Sequence, residues 1–69
     1  MTQKELLYIE DAVGHECTII KILEDTINNI TDEALVSFLQ TEEEKHQNTK
    51  QNLMNLLEEC ANEWSSING

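Results

Sequence analysis

The chain has no proline, no arginine, only two glycines, and one each of Phe, Tyr and Trp. Each shortage excludes something. Without proline, and nearly without glycine, tight turns are scarce, so a fold of many short strands is excluded and long helices are favoured. Two cysteines, Cys17 and Cys60, are too few for a disulfide framework. No apolar run approaches the ~20 residues that a membrane-crossing helix needs. The opening segment, Met1 to Leu7, lacks a basic stretch followed by an apolar core and a cleavage site, so an intracellular location is expected.

The lack of arginine leaves four lysines against 14 acids, a formal net charge of −10. Such a field repels nucleic acid and anionic membranes, so neither is expected as a partner, and it favours cations. An acidic surface also serves simply to keep a small protein soluble. At 69 residues the chain is one domain. A chain of this size buries only about 60% of its unfolded surface, and small domains usually gain stability from a disulfide, a metal or oligomerisation.

What is present is helical periodicity. Thr2 and Glu5 have the spacing of a capping box. Leu6, Ile9, Val13, Cys17, Ile20, Leu23 and Ile27 then recur at steps of three and four, which marks one helical face. Asn28 and Asn29 interrupt it, and Asn tolerates the left-handed conformations that end helices. Thr31, Asp32 and Glu33 look like a second start, with Thr31 able to cap and two acids in the first turn. The expected elements are a first helix over about 3–28, a second over about 32–63, and a frayed tail over 65–69. Together they make an all-α antiparallel helical hairpin. Two helices cannot cover their own apolar stripes, so a twofold homodimer, or a higher homo-oligomer, forming a four-helix bundle is the expected remedy. No heptad pattern is clean enough to predict an extended coiled coil.

The second apolar stripe runs through Leu35, Phe38, Leu39, Leu53, Leu56, Leu57, Cys60 and Trp64, but its middle is polar: Glu42, Glu43, His46, Thr49 and Lys50. On the first helix Glu16 interrupts the stripe between Val13 and Ile20, with Glu10 near its edge. A hinge between Asn29 and Ile30 sets Glu16 level with Glu43, Val13 and Gly14 level with His46, and Glu10 level with Thr49 and Lys50. Glu43 and His46, three apart, project from one helix face. Glu-x-x-His with a glutamate from the neighbouring helix is the ligand set of half a di-iron carboxylate site, and a twofold partner would supply the other half. Glu16, Glu43 and His46 are therefore the candidate metal ligands. Carboxylate oxygen with imidazole nitrogen suits iron, and also manganese or zinc. Glu42 is an alternative ligand, being four residues from His46. Glu10 and His15 are candidates for the polar surroundings of the site, although His15 is turned about 100° from Glu16 and also reads as surface.

Glu-x-x-His alone is common on solvated helices. Its weight here comes from interrupting an apolar stripe with Glu16 level with it. Four inward carboxylates per dimer need compensation. Two divalent cations would supply it, and protonation with raised carboxylate pKa values is the competing answer. Lys50 is placed to pair with Glu10. Gly14 would either leave room for the imidazole or mark a close helix crossing. Cys17 and Cys60 are roughly 25 Å apart along the hairpin axis, too far for a disulfide. Cys17 reads as a small buried apolar residue.

The opening TQKELLYIEDAVGHE, with EEEKHQ on the second helix, resembles the small spore coat protein F-like family of spore-forming Firmicutes over about Thr2 to Glu59. That resemblance implies a ferritin-like helical hairpin or bundle in or under a spore coat, with coat proteins as partners. The Glu16, Glu43-x-x-His46 pattern separately resembles encapsulated ferritins, two-helix proteins that complete a ferroxidase site on dimerising. Two functions are therefore expected. One is metal binding in the bundle centre, with ferrous oxidation if oxygen reaches the site. The other is a structural coat or assembly role with no catalytic activity, in which the inward acids form a polar layer that sets dimer register.

Overall fold

Thr2, in extended conformation, starts the first helix. Its hydroxyl accepts from the Glu5 amide at 3.1 Å, and the Glu5 carboxylate accepts from the Thr2 amide at 2.9 Å. Both halves of the expected capping box are thus made. In the computed structural model, which describes the backbone of residues 1–68 and the side chains of residues 1–63, helix α1 spans Gln3–Asn29 and helix α2 spans Glu33–Asn68. The two pack against each other along one hairpin of 53 × 16 × 13 Å.

The link between them differs from expectation. Ile30 leaves α1 in extended backbone, and none of the described residues adopts positive φ. Asp32, not Thr31, caps α2: its carboxylate accepts from the Leu35 amide at 2.8 Å. The hinge is therefore centred on Thr31 rather than between Asn29 and Ile30. At the far end α2 continues to Asn68 instead of stopping near Glu63, because no proline or glycine interrupts it. Of the expected frayed tail, residues 65–68 have helical backbone, and Gly69 lies outside the described residues, as do the side chains from Trp64 onward.

The inward residues form one regular seam. On α1 they are Leu6, Ile9, Val13, Glu16, Ile20, Leu23, Ile27 and, just past the helix, Ile30. On α2 they are Val36, Leu39, Glu43, His46, Lys50, Leu53, Leu57 and Cys60. Steps of three and four alternate without a break on both chains of residues, which is the seam of a two-stranded antiparallel coiled coil. The heptad was obscured because four of its positions are polar and because apolar neighbours outside it compete for the stripe. Those neighbours are corrections. Leu35, Phe38 and Leu56 are exposed rather than inward, and Cys17 is exposed rather than buried. Ile20, at 5% exposure, is the one fully buried hydrophobic residue among those described.

Candidate functional site

The seam brings Glu16 and His46 together. Glu16 Oε2 lies 2.5 Å from His46 Nδ1, and their side chains retain 16% and 31% of their exposure. With the carboxylate accepting, the imidazole donates Nδ1–H. The partner expected for Glu16 was Glu43, three residues earlier on α2. The shift follows from the hinge: moving its centre toward Thr31 slides α2 by nearly one turn against α1. In this register Glu43 lies level with Ile20, and Lys50 level with Val13. Glu16 is the midpoint of α1, so the polar pair sits at the middle of the paired length.

Glu43 belongs to the next layer toward the hinge. The Glu24 carboxyl on α1, within hydrogen-bonding reach, raises the pKa of Glu43 above the usual 4.5, with desolvation and charge repulsion from Glu24 adding to the shift. Two carboxyls in one place cannot both ionise cheaply, so the pair holds a proton more tightly than either would alone. Sequence reasoning missed Glu24. It becomes visible only once the heptad is phased, because it lies one residue past the core position of Leu23, on the flank of the seam.

The other candidates are more peripheral. Glu42 is half-buried beside the seam and its carboxylate meets Lys45 Nζ at 3.3 Å. His15 is exposed, as its surface reading requires. Glu10 is exposed and lines an open groove near Met1, Leu6 and Leu57 at the free end of the hairpin. The expected Glu10–Lys50 pair is not made: among the described residues the ion pairs are Lys45–Glu42 and the Glu16–His46 contact. Gly14 neither accommodates the imidazole nor marks a close crossing. A Cβ there would meet nothing within 4 Å, and its carbonyl accepts from the Thr18 hydroxyl at 3.1 Å. Both described cysteines are free.

Chemically, the layer offers carboxylate oxygen and imidazole nitrogen within one turn of α2, a donor set that suits Fe, Mn and Zn. A single hairpin supplies only part of a site. Glu16 and His46 converge, Glu43 is drawn toward Glu24, and no group of three His, Cys, Asp or Glu among the described residues is placed to hold a metal ion. Among the described residues no helix is long and apolar enough to cross a membrane. No family model, curated protein or solved structure matches this chain.

Proposed function

We propose that this hairpin binds divalent metal, with iron as the first candidate, through Glu16, Glu43 and His46 once a second copy closes a four-helix bundle around them. The observation that carries the reading is the Glu16–His46 pair, part-buried at the midpoint of a seam that is apolar toward both ends. A twofold partner whose axis passes through or along that midpoint sets two such layers at the same height. The donor chemistry fits: a cation would take the place of the proton between Glu16 and His46, and its charge would draw the Glu43 carboxylate away from Glu24. Bound iron would add redox chemistry that these side chains lack. Anaerobic titration with Fe(II) tests the proposal. One ion per chain is expected, lost in both Glu16→Ala and His46→Ala, and Mn(II) and Zn(II) titrations rank the metals. Absence of saturable binding by all three would remove the reading.

A second reading has its own support. Glu16 and His46 satisfy each other within one chain, so the layer closes without a metal. In that case the hairpin is an assembly element, and its polar layer fixes how hairpins align. This reading predicts that Glu43→Gln leaves the dimer intact or tightens it, with no accompanying change in metal content.

A further inference from the structure

The two flanks of the seam are chemically unlike. In an antiparallel pair, the residues just before the first core position of each heptad fall on the same side of both helices, and the residues just after the second fall together on the other. On one flank stand Tyr8, Ile19, Ile22, Leu35, Phe38 and Leu56. Ile19 is half-buried, and the others are markedly exposed, with Tyr8 at 61%, Phe38 at 59% and Ile22 at 58%. On the other flank, over the half nearest the hinge, stand Cys17, Lys21, Glu24, Gln40 and Glu44, all exposed. The apolar flank lies about 100° round each helix from the seam, which is where a helix in a square bundle meets its second neighbour.

The surface area states how much must be covered. The chain exposes 5370 Å². A compact monomer of 7.9 kDa exposes about 4400 Å². The surplus of about 1000 Å² is close to the roughly 800 Å² that each partner buries in a standard interface. A second copy is the occupant that satisfies both facts at once. It brings an identical apolar flank, as a twofold interface requires, and it covers the full length of the hairpin. The charge pattern agrees: between the hinge and the middle of the hairpin, the ionisable residues on this flank are Glu42 and Lys45, which pair with each other.

We infer that the second copy docks on the Ile22, Leu35, Phe38 and Leu56 flank, leaving the Cys17, Glu24 and Met54 flank open to solvent. This rests on the dimer invoked for the metal site, and it names the surface that forms it. Glu42 and His15 then become buried beside the Glu16–His46 layer, while Glu24 remains outside.

Thiol accessibility distinguishes the flanks without requiring any variant to lose the fold. In a Cys60→Ser background, native Cys17 reports on the polar flank. Adding Ile22→Cys with Cys17→Ser reports on the apolar one. Maleimide labelling is measured across a protein dilution series, with sedimentation velocity on the same samples. The expected result is a dimer in which the thiol introduced by Ile22→Cys labels at least several-fold more slowly at high concentration, while the Cys17 rate stays constant. Phe38→Glu should shift the chain to monomer, and Met54→Glu, an equivalent change on the other flank, should not. A monomer at all concentrations, or protection of Cys17 instead, overturns the inference. Metal titration of the same samples separates the two proposals. A dimer through this flank that binds no metal refutes the metal reading alone, whereas metal binding in a dimer through the other flank refutes this one alone.

Discussion

The two helices contribute differently to one seam. Of the eight α1 seam residues only Glu16 is polar, whereas α2 places Glu43, His46 and Lys50 consecutively at its centre. Where α1 supplies apolar bulk, α2 supplies ionisable groups facing it. Adhesion thus comes mainly from α1 and from the two ends of α2. Burial of an aliphatic side chain is worth about 1.5–3 kcal/mol. A half-buried Glu, His or Lys in the same position gains far less and must find a partner.

The sharpest way to break this asymmetry is at Ile20, the most buried of the described residues. Ile20→Ala should cost about 3 kcal/mol in urea unfolding, through lost transfer energy and the cavity left behind. Changes in the middle of α2 should behave otherwise. His46→Ala removes one side of a charge-assisted hydrogen bond and should cost about 2 kcal/mol. The double change Glu16→Leu with His46→Leu should regain that loss or exceed wild type, because an apolar layer needs no partner. If the double variant is as unstable as His46→Ala alone, the polar layer is a source of stability and the contrast between the helices disappears.

The smallest effect expected is at Glu43, and it is a matter of pH. Its folded pKa is raised above the ordinary 4.5, so the native state binds a proton more tightly than the unfolded chain. That contribution is fully present below the unfolded value and is lost as pH rises through the folded one. Stability attributable to this group should therefore fall as pH climbs from about 4.5 toward its raised folded value. Glu43→Gln should flatten that part of the profile and leave the protein slightly more stable at pH 7. Thermal melts at half-unit pH steps would show it. A profile unchanged by the substitution would mean that Glu24 and Glu43 do not share a proton.

Much of this was legible in the amino-acid order, and the omissions have physical causes. The hairpin and the Thr2–Glu5 box are local, set by residues within a turn of one another. That Glu16 and His46 both face inward also follows from helical spacing. Their pairing did not, because register depends on where the link is centred. The Asn pair marked an interruption, but the Asp32 side chain and the extended Ile30 decided the geometry. Leu35, Phe38 and Leu56 read as seam residues because apolar periodicity cannot tell a helix's first buried face from a second one left exposed. Cys17 is misplaced for a related reason: a stripe read from spacing alone is wide enough to hold both Glu16 and Cys17, and only Glu16 faces inward. Glu24 needed the phase of the whole heptad, which no local pattern carries.

The formal charge of −10 has a consequence for assembly. Every copy that approaches another does so against like charge. The hairpin is only 16 × 13 Å in cross-section, comparable with the distance of about 10 Å over which 0.1 M salt screens a charge. In dilute buffer the repulsion reaches across the whole molecule. Association should therefore tighten as ionic strength rises, the reverse of what a nucleic-acid binder shows, and divalent ions should promote it at far lower concentration than sodium.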